Sequence, residues 1–166
     1  MCSSGIENNE KKNYSFEELL TTKGYIVYTN VGYSMMPLLR QKRDVIEIRP
    51  KGPERCRKYD AVLYKVGNRY ILHRVLKVRP NDYVIVGDHC FRREYGITDK
   101  QILGIMTRVI RDGKTIYPTD WKYKLYVHLW CDFYPVRAAI LYSKMRIRAA
   151  GGKIKRLLFG RRKTEE

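Results

Sequence analysis

The sequence contains no long apolar run. No window of its 166 residues approaches the roughly 20 consecutive apolar residues that a membrane-spanning helix requires. Residues 1–12 are polar and charged and lack the apolar stretch of a signal peptide. We therefore expect a protein without a transmembrane segment, located in the cytoplasm or peripherally at a membrane.

Cysteine is also sparse. The four cysteines, Cys2, Cys56, Cys90 and Cys131, are widely separated and form no Cys-x-x-Cys pair. This spacing argues against both a zinc site and a disulfide framework. We expect free thiols, as in a reducing compartment, and neither a metal nor a cofactor.

Acidic residues are few relative to basic ones. The chain has 17 Asp and Glu against 34 Lys and Arg, a formal net charge of +17. Such a charge favours polyanionic partners, namely nucleic acid, anionic lipid or acidic substrates. The aromatic boxes of RNA-binding domains are missing, so nucleic-acid binding is supported by charge alone. The 44% hydrophobic content is typical of a folded protein.

A short helix is predicted after a polar, flexible leader at residues 1–13. Ser15 and Glu18 have the spacing of a capping box. Gly24 suits the left-handed residue that ends many helices. These signals place the helix at about residues 15–22.

β-rich runs dominate residues 25–118. Turn-forming residues at 79–82 and 112–113 separate such runs and predict two hairpins. We therefore expect a mainly β domain over residues 14–118 with a helical appendage, which is an α+β fold class.

A helical pattern replaces the strand pattern in residues 119–166, a basic amphipathic tail. Pro135 starts its second segment, and the glycine pair at 151–152 is predicted to interrupt that segment. Residues 121–160 mix aromatic side chains with cations, as helices on anionic membrane surfaces do. A helical pair packed on the β domain with a solvated basic face would produce the same pattern.

Ser34 is the candidate nucleophile. It lies between Gly32 and Pro37 in the segment Gly-Tyr-Ser-Met-Met-Pro. Gly32 permits close backbone approach, and Pro37 fixes the chain direction after the serine. A serine hydroxyl needs a neighbouring base and donors for the oxyanion it generates. The alternative is an ordinary loop serine.

His73 is the candidate general base. Strand alternation over residues 70–76 places it among the apolar side chains of one face. A neutral imidazole there would accept the serine proton and return it to the leaving amine. A core histidine satisfied by hydrogen bonds is the alternative. Of the other two histidines, His89 follows a Gly-Asp pair and His128 is predicted to lie on a helix surface.

These segments together resemble the boxes of the signal peptidase I and LexA-type serine peptidase superfamily. In chain order, the matching segments are residues 32–37, 43–46, 58–62, 71–75, 86–88 and 102–104. Arg43 stands where the family usually has glycine. His73 occupies the base position, where most bacterial members have lysine, and this is similar to the endoplasmic-reticulum and archaeal branch. The resemblance covers about residues 18–117.

The resemblance implies a fold and a set of catalytic groups. The fold would be a mixed β-barrel of the LexA and signal peptidase type, with Ser34 attacking and His73 acting as base. A carboxylate normally orients such a histidine, and the family pattern maps it to Asp99, the preferred candidate, or to Asp88. The structural alternatives are a turn aspartate at Asp88 and a helix cap at Asp99.

The predicted function is a serine endopeptidase that cleaves a peptide or precursor-protein substrate. A LexA-type self-cleaving domain is one alternative, although no helix-turn-helix pattern precedes Tyr25. The other alternative is a non-enzymatic basic module that binds nucleic acid or membrane. No oligomeric state is predicted.

Overall fold

The computed structural model describes residues 14–29 and 31–159, with side chains described as far as Ile147. The helices are α1 (Phe16–Lys23), α2 (Trp121–Asp132) and α3 (Tyr134–Phe159). The strands are β1 (Ile26–Thr29), β2 (Val45–Pro50), β3 (Ala61–Val66), β4 (Arg69–Val78), β5 (Tyr83–Val86), β6 (Glu94–Ile97), β7 (Ile102–Arg111) and β8 (Lys114–Ile116). A 3-10 turn spans Asp99–Gln101. The predicted leader at residues 1–13 lies outside the described residues.

The described strands form one antiparallel sheet. Their order is β1-β2-β7-β3-β4-β5-β6, and β8 pairs with β7. β7 is the hub of the sheet because it pairs with β2, β3 and β8. This topology places β3 to β6 side by side, where they carry much of the candidate site. The predicted α+β class with predominant β structure is confirmed.

Local sequence signals account for the first helix. The Glu18 N–H donates to Ser15 Oγ over 3.2 Å, and the Ser15 N–H donates to a Glu18 carboxylate oxygen over 2.8 Å. Gly24 ends the helix with a φ of 73°, a left-handed conformation that glycine adopts without steric cost. The predicted helix is confirmed, with its bounds shifted by one residue.

The two predicted hairpins are confirmed as well. β4 and β5 pair across the turn at residues 79–82. β7 and β8 pair across Asp112 and Gly113, whose φ angles are 49° and 75°. Positive φ at both central residues is what a type I′ hairpin turn requires.

The main hydrophobic core joins helices to the sheet. It includes Phe16 of α1, Met35 and Leu39 of the segment after β1, and Val127 of α2. A second cluster, which includes Tyr64 of β3, lies among β3 to β7. One face of α2 therefore belongs to the same core that anchors the residues around Ser34.

The C-terminal helix departs from the prediction. α3 continues through Gly151 and Gly152, so the predicted interruption is wrong. A glycine inside a helix costs about 1 kcal/mol relative to alanine, and a helix of 26 residues tolerates this. The side chains beyond Ile147, which include part of the predicted basic tail, lie outside the described ones. Among the described residues, no helix is both long enough and apolar enough to cross a membrane.

Candidate active site

Ser34 lies in a tightly anchored segment between β1 and β2. The Met36 N–H donates to the Tyr33 carbonyl over 3.1 Å, and the Leu39 N–H donates to the Met35 carbonyl over 2.9 Å. Met35 and Leu39 are buried in the main core. Ser34 itself is partly exposed, so a fixed backbone holds this residue near the surface.

A buried carboxylate holds the end of the same segment. Asp44 accepts hydrogen bonds from Arg43 Nε at 2.7 Å and Arg111 Nη2 at 3.0 Å. The Arg40 N–H also donates to Asp44, over 2.8 Å. Burial alone would raise the pKa of Asp44, but the hydrogen bonds from Arg43 and Arg111 outweigh it and lower that pKa to about 2. Arg43 and Arg111 thus clamp the end of the segment through Asp44.

Gly87, at the end of β5, marks where Ser34 and His73 meet. A Cβ atom added to Gly87 would lie 2.7 Å from the Ser34 carbonyl oxygen and 2.9 Å from His73 Nε2. The His89 N–H donates to the same Ser34 carbonyl over 2.7 Å. The structure therefore brings the two predicted residues to one place and leaves room there only for glycine.

The other ring nitrogen of His73 faces a carboxylate. His73 Nδ1 lies 3.0 Å from Glu94 Oε1 and 3.1 Å from the Tyr64 hydroxyl. Tyr64 has a single hydroxyl proton, which it donates to Glu94 Oε2 over 2.7 Å. A carboxylate only accepts hydrogen bonds, so the ring proton belongs on Nδ1. Nε2 is left unprotonated on the side of Gly87 and Ser34.

The surroundings keep Glu94 ionised and Tyr64 protonated. Burial would raise the pKa of Glu94, but hydrogen bonds from His73 and Tyr64 outweigh it and hold that pKa below its ordinary value. Burial and the neighbouring Glu94 carboxylate raise the pKa of Tyr64 far above its usual range. The Glu94 carboxylate and the Tyr64 hydroxyl therefore fix the orientation of the His73 ring.

Within the described part of the chain, no hydrogen bond joins Ser34 Oγ to His73 Nε2. Catalytic hydrogen bonds are often long without substrate and tighten when it binds. The contact of both residues with the Gly87 position is the geometric link between them.

Asp88 does not orient His73, which corrects one of the two predicted assignments. Its carboxylate forms a bidentate pair with Arg74, with both N–O distances at 2.8 Å and both side chains fully buried. The Tyr126 hydroxyl of α2 also donates to Asp88, over 2.9 Å. Asp88 follows Gly87 in the chain, yet its side chain joins β4 to α2 instead.

The preferred acid, Asp99, is also elsewhere, and that prediction is corrected too. Asp99 accepts from the Tyr83 hydroxyl at 2.6 Å and lies 3.1 Å from Lys51 Nζ. It begins the 3-10 turn, and Thr98 precedes that turn as its N-terminal cap. Its contacts tie β5 to the loop between β2 and β3.

The role of Glu94 was not recognisable from the sequence because β6 was not predicted. This strand has only four residues and includes a glycine, so it shows no clear alternation. Its pairing of Glu94 with Ile85 brings the carboxylate beside β5 and β4. The usable signal was compositional, since Glu94 is the only acidic residue in residues 91–98.

The remaining histidines are accounted for separately. His128 is exposed on α2, with Nδ1 3.0 Å from Asp132, so its predicted place on a helix surface is confirmed. The His89 side chain is exposed, and its backbone supports Ser34. Within residues 14–29 and 31–159, no group of His, Cys, Asp and Glu has the arrangement of a metal site.

The cysteines only partly match the expectation of free thiols. Cys56 and Cys131 are free and buried, and burial raises the pKa of each thiol to about 11. Cys90 is disulfide-bonded, which corrects the expectation at that position. Sequence spacing does not report which cysteines the fold brings together.

An apolar cavity of about 530 Å³ adjoins the Ser34 segment. Its lining is mostly apolar, with Pro37 and Leu38 beside Trp121, Tyr123 and Tyr126 of α2, and it also includes the charged residues Arg111, Asp120 and Lys122. Aromatic and aliphatic walls of this kind accommodate an apolar group.

Comparison of the chain with protein-family models, curated proteins and solved structures gave no match.

Proposed function

We propose that this protein is a serine endopeptidase of the signal peptidase type, with Ser34 as nucleophile and His73 as general base. Glu94 is the orienting carboxylate. The observation that carries the proposal is the asymmetric environment of His73, whose Nδ1 contacts Glu94 while Nε2 faces Gly87 and the Ser34 segment. A histidine that only filled the core would not require a carboxylate at one ring nitrogen and a serine segment at the other.

The proposed reaction begins when Ser34 Oγ attacks the carbonyl carbon of the scissile peptide bond. The hydroxyl proton moves to His73 Nε2, and Glu94 stabilises the imidazolium that results. His73 then gives this proton to the leaving amine as the C–N bond breaks. A water molecule hydrolyses the acyl-enzyme in the same way and restores Ser34.

The oxyanion of each tetrahedral intermediate needs hydrogen-bond donors. Ser34 supplies one candidate, because its own N–H donates to no group among the described residues. This N–H and the Ser34 side chain belong to one anchored segment, so their relative position is fixed before substrate binds.

The fold and the cavity support the same proposal. An antiparallel sheet with a helical appendage is compatible with the LexA and signal peptidase type of β fold. The cavity beside Pro37 and Leu38 would receive an apolar side chain of an extended peptide. We therefore propose that the substrate is a peptide or precursor protein with an apolar residue near the cleaved bond.

The proposal is tested by incubating the purified chain with a library of unstructured peptides and identifying new termini by mass spectrometry. The wild type and Ser143→Ala, a control at an exposed serine of α3, should produce the same cleavages. Ser34→Ala should produce none. Identical cleavage by Ser34→Ala and the wild type would exclude Ser34 as the nucleophile.

A further inference from the structure

A line of apolar side chains is exposed along α2 and the start of α3. Its members and their exposed fractions are Trp121 at 68%, Leu125 at 51%, Leu129 at 54%, Phe133 at 59%, Val136 at 58% and Ile140 at 50%. We call these six residues the apolar ridge. Single exposed apolar residues are common, but six of them on two consecutive helices indicate an interaction surface.

The ridge is not an unfilled part of the core. In α2, Trp121, Leu125 and Leu129 follow one another at four-residue spacing and therefore share one helix face. The core contacts of this helix come from other positions, namely Tyr123, Val127 and Cys131. α2 is therefore apolar on two faces, of which one is already packed.

The exposed charges of these helices, among the side chains that the structure describes, are mostly positive. Lys122 and Lys124 of α2 and Lys144 and Arg146 of α3 are exposed, and the segment 121–159 contains a single acidic residue, Asp132. Asp132 is already paired, with Lys58 Nζ at 2.8 Å and His128 Nδ1 at 3.0 Å. No unpaired carboxylate of these helices opposes an anionic partner.

We propose that the apolar ridge docks on an anionic lipid surface. Helices that lie in a membrane interface place aromatic and aliphatic side chains among the headgroups while cations contact anionic lipid. Docking of a second copy of the chain would instead bring two strongly positive surfaces together. Charge therefore favours lipid as the occupant.

The corner between α2 and α3 connects this surface to the candidate active site. Trp130 Nε1 donates to the Asp88 carbonyl over 2.6 Å, and the Tyr134 hydroxyl donates to the Phe91 carbonyl over 2.7 Å. Arg137 Nη1 also donates to the Asp88 carbonyl, over 3.2 Å. These bonds fix the loop after Gly87, in which the His89 N–H donates to the Ser34 carbonyl, so lipid docking would hold the Ser34 segment close to the membrane surface.

Vesicle co-sedimentation of the full chain tests the docking proposal. Binding to phosphatidylcholine vesicles that contain phosphatidylglycerol should be strong, and it should weaken without the anionic lipid or with added salt. The double variant Leu125→Gln/Leu129→Gln should bind these mixed vesicles about tenfold or more weakly. The matched control Tyr25→Gln/Val27→Gln, at apolar residues of similar exposure on β1 and just before it, should bind like the wild type.

Two further variants make the result decisive. Lys122→Glu/Lys124→Glu changes only exposed lysines of α2 and should also weaken binding, even if the leucine variant folds poorly. Ser34→Ala should bind as the wild type does, which separates docking from peptidase chemistry. Equal binding by the leucine variant and its control would overturn the proposal. So would dimerisation through the ridge without any vesicle binding.

Discussion

The two ring nitrogens of His73 have different surroundings. Nδ1 contacts Glu94 and Tyr64, whereas Nε2 faces Gly87 and the segment that holds Ser34. This asymmetry selects one tautomer and leaves the basic nitrogen directed at the proposed nucleophile. The identity of the orienting acid follows from this contact and can be tested separately from the nucleophile.

Replacement of Glu94 should impair catalysis more than replacement of Asp99. Glu94→Gln removes the negative charge that stabilises the imidazolium, and we expect kcat/KM to fall by about 10²–10³-fold. Asp99→Asn should change kcat/KM by less than about threefold, because Asp99 pairs with Lys51 and Tyr83. Steady-state kinetics on a peptide cleaved by the wild type measures both. A larger loss of kcat/KM for Asp99→Asn than for Glu94→Gln would favour Asp99 as the orienting acid.

Gly87→Ala should inactivate the site. The added methyl group would lie 2.7 Å from both the Ser34 carbonyl oxygen and Cys90 Sγ, and 2.9 Å from His73 Nε2, so the two proposed catalytic residues would be pushed apart. We expect at least a hundredfold loss of activity, since a misplacement of about 1 Å has this effect. Gly52→Ala is the control, because a Cβ there meets no atom within 4 Å. Full activity of Gly87→Ala would show that Ser34 and His73 do not both lie in close contact with the Gly87 position.

The packing of β4 and β5 against α2 depends on the buried pair of Arg74 and Asp88. Besides Asp88, Arg74 donates to the Tyr59 carbonyl at 2.8 Å and the Tyr123 hydroxyl at 3.0 Å. β4 and α2 thus contribute to one hydrogen-bonded cluster around Arg74. Its role is structural, and a variant can distinguish that role from catalysis.

Asp88→Ala should lower the free energy of unfolding by about 3–5 kcal/mol, because it leaves the Arg74 charge buried and unpaired. Arg74→Met/Asp88→Leu should recover part of this loss, since no charge remains uncompensated. Chemical denaturation measures both variants. If Asp88→Ala kept its stability and lost only activity, Asp88 would have a catalytic role instead.

The segment between β1 and β2 should loosen in acid. Asp44 has a pKa of about 2 in the folded protein against an ordinary value of 3.8. A lowered folded-state pKa means that the stabilisation is complete above about pH 4 and is lost as the pH falls towards 2. The shift corresponds to about 2 kcal/mol.

Asp44→Asn tests this pH dependence through the free energy of unfolding. The variant should be less stable than the wild type at pH 7, and the difference should shrink by about 2 kcal/mol between pH 5 and pH 2. Thr115→Ala, at an exposed residue of β8, should show no such change because it removes no titratable group. A difference that stayed constant with pH would mean that Asp44 is not held as an anion.

At the scale of the whole molecule, local sequence signals predicted those features that interactions between sequence neighbours determine. The capping box at Ser15 and the turn at Asp112 involve neighbours in sequence, and both were recognisable. Ser34 and His73 were selected by the order of motifs, and the structure places them around one glycine. The closeness of Glu94 to His73 depends on the pairing of a four-residue strand, which no local pattern encodes. The continuity of α3 through two glycines shows that a weak local penalty does not decide a long helix.

The proposed catalytic residues and the apolar ridge are connected through the fold. The α2–α3 corner donates hydrogen bonds to the loop that follows Gly87. These bonds link the proposed docking surface to the proposed active site.

The site of acylation is the most direct measure of the central claim. The purified chain is treated with a serine-acylating probe, and the adduct is located by intact mass and peptide mapping. We predict a single adduct on Ser34 that is absent in Ser34→Ala and forms far more slowly in His73→Gln. Equal labelling of the wild type and Ser34→Ala would contradict the account.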